Sequence, residues 1–315
     1  ALEGKAGKPD PTKAATLLAG ACARRHAASC TLLGFLYRNG RGVAADAAAS
    51  LRSYTAACGF GDPDGCVGAA DIHTRGLLGQ IDNEKAVPFL ETGCAARSGP
   101  ACYLLAEMYA YALGVAADPE RATTLHAEAF TLLSTDCAAK SGPACYTLGN
   151  AYADGKGTTQ DPAKAFTAFD QGCSAGSGDA CYKVAAAYDI GTGVEIDKAR
   201  ALTTYDRACR QYDHAEGCFE AGVSIALGPE SGWDKDTLSY YGERACALDP
   251  RNCDLLGHLY GTGKTGNEDQ TKASDNFRTA CEHGKAQACY NLGLRMSTGT
   301  GVAQDAGGAV GFYER

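Results

Sequence analysis

Residues 145–181 read CYTLGNAYADGKGTTQDPAKAFTAFDQGCSAGSGDAC, with cysteines at 145, 173 and 181. The same beat runs along the whole chain. Its 16 cysteines form eight pairs, six of them spaced i, i+8: Cys22/Cys30, Cys58/Cys66, Cys94/Cys102, Cys137/Cys145, Cys173/Cys181 and Cys281/Cys289. Cys209/Cys218 and Cys246/Cys253 miss this spacing by one residue in opposite directions. The first cysteines of successive pairs lie 36, 36, 43, 36, 36, 37 and 35 residues apart. A period near 36 marks a repeat array whose unit is one supersecondary motif.

The second cysteine of each pair begins a segment of helical periodicity. With that cysteine as position 0, position 3 is Leu, Ala or Val, and position 4 is Gly or Ala (Gly34, Ala70, Ala106, Gly149, Ala185, Gly222, Gly257, Gly293). Position 7 is Tyr37, Tyr109, Tyr152, Tyr188 and Tyr260, with His73, Ile225 and Met296 as departures. At 100° per residue these positions share one face. A small residue at 4 predicts close approach of a neighbouring helix, with the tyrosine filling the space one turn on. Glycine at position 10 (Gly40, Gly76, Gly155, Gly191, Gly228, Gly263, Gly299) predicts the end of this first helix. A second amphipathic segment, such as DPAKAFTAFDQGC, then runs into the next pair, often after Asp or Asn. Pro119 and Pro162 suit its first turn.

These elements predict an all-α solenoid of about eight helical hairpins. The units are 27–58, 63–94, 99–137, 142–173, 178–209, 215–246, 250–281 and 286–315, preceded by a half-unit at 11–24, in one continuous array over 1–315. The 43-residue interval places seven extra residues in PERATTLHAEAFTLLSTDC. Seven residues turn the buried face by only about 20°. They predict a helix protruding about 10 Å beyond its neighbours at 1.5 Å per residue.

Pairing either joins the members of each close pair or joins the two ends of one hairpin, as Cys30 to Cys58. The second scheme orphans Cys22 and Cys289; the first leaves no thiol free, and predicts eight local bridges. Each closes a loop of about nine residues, worth about 2–3 kcal/mol by chain entropy. Structural zinc needs shorter convergent spacings, and no C-x-x-C occurs. Disulfides on this scale place the protein in an oxidising compartment: secreted, periplasmic, or the mitochondrial intermembrane space. With 29 Lys+Arg against 37 Asp+Glu and no basic stripe, nucleic acid is not an expected partner. No apolar run reaches the roughly 18–20 residues of a membrane span. The start, ALEGK, lacks the basic and apolar regions of a signal peptide and reads as a mature or trimmed end.

Positions 2, 5 and 9 of each first helix lie opposite the buried stripe, and first helices usually line the concave side of such stacks. The candidates for partner binding there are Phe35, Arg75, Glu107, Tyr111, Asn150, Asp154, Ile190, Leu227 and His258. Varied residues on a repeated frame describe a peptide- or protein-binding groove, and equally a drifting solvated surface. Apolar members such as Phe35, Tyr111, Ile190 and Leu227 favour binding. An aromatic series at position 1 (Tyr103, Tyr146, Tyr182, Phe219, Tyr290) predicts packing between units.

Catalytic motifs fail. Lys264-Thr265-Gly266 and Ser274-Asp275-Asn276 match two penicillin-interactive motifs in reversed order, and the nucleophilic S-x-x-K is absent. Gly261 to Thr265 imitates a phosphate loop, but His258 stands where its first glycine belongs. The six histidines form no ligand pair, and His73 fills a tyrosine slot as a packed residue. No metal or cofactor ligand set emerges, and the expectation is a protein that is not an enzyme.

The pattern C-x-x-L-G-x-x-Y-x-x-G-x-G-V, then D-x-x-K-A and a terminal A-C, resembles the Sel-one-like repeat family. Residues 30–43, 145–157 and 289–302 show it best, and the likeness runs from about Lys13 to Arg315. Paired cysteines in every unit resemble its cysteine-rich branch, the Helicobacter cysteine-rich proteins. The resemblance implies a right-handed α/α superhelix with one disulfide per unit and an adaptor or protein-binding role. Relatives have been linked with β-lactam binding or hydrolysis, and another with haem and cytochrome oxidase assembly in the intermembrane space. No residue here carries over as nucleophile or haem ligand. The chain stops at GFYER, ahead of the expected A-C, which makes Val310, Phe312 and Tyr313 a candidate contact end. Under denaturing conditions without reductant, iodoacetamide should modify no cysteine, and after reduction all 16. Labelling before reduction would refute the fully paired scheme.

Overall fold

The computed structural model describes residues 10–228, 234–266 and 268–315. The first nine residues, read as a trimmed end, lie outside them. The described residues contain seventeen α-helices and no strand. After α1 (Pro11–Ala23) come eight antiparallel hairpins. They are α2 (Ala27–Asn39) with α3 (Ala47–Gly59), α4 (Pro63–Thr74) with α5 (Asn83–Ala95), α6 (Gly99–Ala110) with α7 (Pro119–Ala138), and α8 (Gly142–Asp154) with α9 (Pro162–Ser174). Then follow α10 (Gly178–Ile190) with α11 (Lys198–Tyr212), α12 (Ala215–Leu227) with α13 (Lys235–Leu248), α14 (Cys253–Gly261) with α15 (Gln270–Glu282), and α16 (Ala286–Thr298) with α17 (Ala306–Tyr313). The chain divides into two compact units, with the boundary after Gly172.

Every cysteine is bridged within its close pair, so none is free. Each bridge joins the end of one second helix to the start of the next first helix with Cα atoms 4.3–4.7 Å apart. The second members of the pairs, Cys30, Cys66, Cys102, Cys145, Cys181, Cys218, Cys253 and Cys289, are sealed in the core at 0–2% exposure. Position 0 lies on the same helical face as positions 3 and 4, so the stripe that packs the hairpin also covers the sulfur. Cys66, Cys181 and Cys218, bridged to Cys58, Cys173 and Cys209, are buried on that stripe. The short Cys246–Cys253 loop is accommodated by a single 3-10 turn, Pro250–Asn252.

A second tie closes each hairpin at its other end. Helix α1 and all eight second helices begin after an aspartate: Asp10, Asp46, Asp82, Asp118, Asp161, Asp197, Asp234, Asp269 and Asp305. Its carboxylate accepts a backbone N–H two or three residues on. That satisfies donors the first turn would otherwise leave unpaired. In seven hairpins the same aspartate donates its own N–H to the carbonyl of position 7, for example Asp46 to Tyr37, Asp161 to Tyr152 and Asp305 to Met296, at 2.8–3.1 Å. A cation in the first turn then covers the tyrosine ring: Arg121 over Tyr109, Lys164 over Tyr152, Arg200 over Tyr188 and Lys272 over Tyr260, at 4.5–5.7 Å.

The core within a hairpin is a ring set against a missing side chain. A Cβ on Gly34, Gly149, Gly257 or Gly293 would stand 2.3–2.8 Å from the ring of Tyr54, Phe169, Phe277 or Tyr313. Small position 4 therefore admits a ring from the hairpin's own second helix. The position-1 aromatics pack within their own hairpins as well as between units. Tyr146, Tyr182 and Tyr290 lie against Phe169, Tyr205 and Tyr313 of their own hairpins, at 5.7–6.0 Å. They sit one turn before position 4, beside the same ring. Tyr182 also stacks on the next hairpin, on His214 at 4.9 Å, and Lys156 and Lys285 from later hairpins lie over Tyr103 and Phe219.

Two glycine positions depart from the pattern. Gly40, Gly155, Gly191 and Gly299 end their helices in the left-handed region. Gly228 is extended at φ −71, because its N–H closes three residues back on Ile225 and needs no reversal of hand. In the hairpin without a glycine, Ala112 takes the left-handed conformation at φ +55, which an L-residue with a Cβ adopts at a cost of about 1–2 kcal/mol. Ala112→Gly should therefore raise the denaturation midpoint by the equivalent of about 1 kcal/mol. Asp197→Ala should lower it by about 1 kcal/mol through loss of its cap. Urea unfolding followed by circular dichroism measures both, and opposite signs would refute this account.

Candidate functional site

The seven extra residues sit in α7, which has 20 residues where α3, α5 and α9 have 13. In a regular hairpin, the position-4 residue Gly34 lies against Tyr54, four residues before Cys58. In α6 it is Gly99, one heptad earlier than position 4, that lies against Leu133, four residues before Cys137. The loop glycines Gly42 and Gly114 abut the first turn of the preceding second helix, at Pro11 and at Asn83. Gly157 instead abuts the His126 carbonyl, two turns into α7. The expectation of a helix protruding beyond its neighbours is thus corrected. Helix α6 is tied to the start of α7 through Asp118 and Tyr109, and α8 to its end through Cys137 and Cys145. The extra length becomes a step of about 10 Å between successive first helices of the first unit.

The step gathers a polar cluster. Glu107, in the last turn of α6, faces the loop after α8. Its carboxylate accepts from Lys156 Nζ at 2.6 Å and bonds His126 Nε2 at 2.8 Å. Lys156 also lies 3.7 Å from Asp154 and sits over the rings of Tyr103 and Tyr111. Tyr103 OH reaches Asp154 at 3.5 Å, and its ring meets His126 edge-on at 5.2 Å. Burial works to raise the Glu107 carboxyl, but the bonds from His126 and Lys156 outweigh it and hold it below the usual range. For Lys156, burial works downward and the bond to Glu107 prevails, so its ammonium is raised. Of the sequence candidates, Glu107, Tyr111 and Asp154 meet here. His126 and Lys156 escaped the sequence reading, although His126 falls three turns before Cys137 on the buried stripe of the insertion.

The other candidates of the first unit lie apart from this cluster. Asp71 accepts from Arg38 at 2.8 Å and from Arg75 at 3.0 Å, and Arg38 covers the half-buried Phe35 ring at 5.7 Å. Asn150 is half-buried on α8. Not every residue opposite the stripe is exposed: Thr147 and Leu255, at position 2, are buried, because position 2 adjoins the neighbouring first helix.

In the second unit, Ile190 and Leu227 project from first-helix ends at 68% and 81% exposure. His258 borders a groove of about 440 Å³ between α14 and α16. The rejected motifs are structural there. Ser274 is buried in α15 and donates to the Gln270 and Thr300 carbonyls, and Lys264 donates to the Ala226 carbonyl. His73, in the first unit, is buried and stacks on Phe89 at 6.1 Å. Glu128 lies beside Cys94 and Cys102, but both sulfurs are held in their disulfide and offer no thiolate.

A profile of the Sel1 repeat matches residues 27–58, 99–130, 142–177, 178–213, 253–285 and 286–315. The hairpins left unmatched contain His73 and Ile225, the substituted tyrosine slots. No curated protein sequence matches the chain. Among solved structures, a protective antigen of uropathogenic Escherichia coli with an SLR fold is 20% identical, with TM-score 0.60 over 99% of this chain and 73% of that one. A Sel1 repeat protein from Oxalobacter formigenes is 22% identical, with TM-score 0.55 over 95% and 84%. Helicobacter pylori cysteine-rich protein B is 29% identical over 38% of this chain and 85% of its own, with TM-score 0.31.

Glu107→Gln should destabilise the first unit at pH 7 by about 1–2 kcal/mol, since it strands a half-buried ammonium. A depressed carboxyl stabilises above its unfolded value near 4.3 and loses that as pH falls through the folded value. The gap between wild type and variant should therefore close below about pH 3. A gap unchanged from pH 7 to pH 3 in urea titrations would refute the ionic role.

Proposed function

The chain belongs to the Sel1 repeat family, and from that premise we propose that it is a non-catalytic scaffold that binds a protein or peptide along the face of its first helices. Its eight disulfides are those of a protein kept in oxidising surroundings, and we infer a secreted or periplasmic location. The observation that carries the reading is the contrast between frame and face. Bridge, aspartate cap, small position 4 and ring recur in hairpin after hairpin, while positions 5 and 9 vary in chemistry along the array. They offer an aromatic at Phe35 and a cation at Arg75, an anionic cluster at Glu107 and Asp154, and aliphatic tips at Ile190 and Leu227. Repeat arrays with a constant frame and a varied exposed face act as extended binding surfaces.

Photo-crosslinking tests this directly. Benzophenone side chains at 111 and 190, on the first-helix face, should capture the same partner from the envelope or medium of the source cells. Probes at 167 and 203, exposed on second helices, should capture little of it. Equal capture from both sets, or none from either, would sink the reading.

A further inference from the structure

The groove between α14 and α16 carries a cation, Arg295, with no carboxylate among the described lining residues. Its floor is made of Gly257 and Gly261, with the buried Phe277 ring packed directly behind them; a Cβ on Gly257 would stand 2.8 Å from that ring. His258 forms one wall, and Asn291, Leu294 and Arg295 form the other. Arg295 is held in place by uncharged oxygens. Nη1 and Nη2 both donate to Gln270 Oε1 at 2.6 Å, and Nη1 reaches the Thr300 carbonyl at 3.4 Å. Its guanidinium lies 5.3 Å from the Phe277 centroid.

On the first-helix face of the first unit, Arg38, Arg75 and Lys156 are neutralised. Asp71 takes Arg38 and Arg75, and Glu107 takes Lys156. The α14–α16 groove has no carboxylate in its lining, in a chain with 37 Asp+Glu against 29 Lys+Arg. The carboxylates nearest in influence are engaged outside it. Glu268 accepts from Gln270, and Asp254 is buried and paired with Lys285 at 3.5 Å. Burial holds the His258 imidazole below its usual value, so at neutral pH it is an uncharged hydrogen-bonding ring, 3.4 Å from the Asn291 amide.

We propose that this groove receives an acidic side chain from an extended segment of the partner protein, its carboxylate against Arg295 and Asn291 and a neighbouring apolar residue against the exposed Leu294. The inference deepens the scaffold reading and rests on it. A guanidinium already stacked and fixed by three hydrogen bonds loses little freedom on meeting a carboxylate. The low polarity contributed by Phe277 strengthens the attraction.

The test uses the full oxidised chain, immobilised, and degenerate nonapeptide pools capped at both ends, with central Glu, Gln or Lys. A fourth pool has central Gln and a free C-terminal carboxylate. The central-Glu pool should be retained about tenfold better than the Gln pool, with a shift of the His258 imidazole proton resonance. Thr298→Asp, an exposed substitution on the groove rim, should abolish that preference by supplying a carboxylate internally, and Arg295→Gln should do the same. Circular dichroism checks that both variants remain folded. Equal retention of Glu and Gln pools overturns the acidic subsite while leaving peptide binding intact. Stronger retention of the free-carboxylate pool overturns the choice of an internal side chain. Retention of no pool at all overturns the subsite and the peptide-binding reading together.

Discussion

A covalent tie with Cα atoms less than 5 Å apart, between the end of one helical hairpin and the start of the next, governs this architecture. It decides where along a second helix the following hairpin must begin. At the other end of the same helix, an aspartate fixes where its own first helix must finish, through the N–H to the position-7 carbonyl. Between these two ties, the length of the second helix is the one free variable. Most second helices hold it constant, with twelve residues from cap to cysteine, as from Asp46 to Cys58 or Asp269 to Cys281. In α7 the same interval is nineteen, from Asp118 to Cys137, and the neighbouring first helices slide apart by two turns. Because seven residues nearly complete two turns, the buried face is retained and the displacement is purely axial.

Much of this was legible in the residues. The cysteine spacing defined the unit, the pairing followed from leaving no thiol over, and the insertion was located to a single helix. The geometry of the insertion was not legible, because its outcome depends on which neighbour is anchored to which end. The ring that fills the space at position 4 was also missed. It lies four residues before the first cysteine, as Tyr54, Phe169, Tyr205 and Phe277, but appears there as Tyr, Phe or Leu and so makes no fixed letter. Position 1 was read as packing between units, which Tyr103, Tyr182 and Phe219 do, but its second partner, the ring of its own hairpin, was missed for the same reason. The aspartate caps were read as a tendency toward Asp or Asn, whereas every second helix uses aspartate.

For the surface, periodicity supplies positions and little more. Glu107, Tyr111 and Asp154 were singled out as separate places on a face, and only the axial step turns them into neighbours around Lys156. Arg295 was not singled out at all, because position 6 lies between the buried stripe and the exposed face. Its interest lies in what surrounds it, a set of neutral oxygens and a buried aromatic ring, which no spacing rule encodes. Charge pairing across successive first helices thus separates surfaces that look alike as patterns: one is internally balanced, another keeps a surplus.

The locality of the bridges also bears on how such a chain acquires its covalent form. Partners seven to nine residues apart meet far more often than any distant pair, since closure entropy rises with loop length. A chain that emerges from its N-terminus into an oxidant can therefore lock each hairpin to its predecessor before the next has appeared. The order of synthesis then becomes the order of bridging, and the sixteen thiols never have to choose among one another all at once.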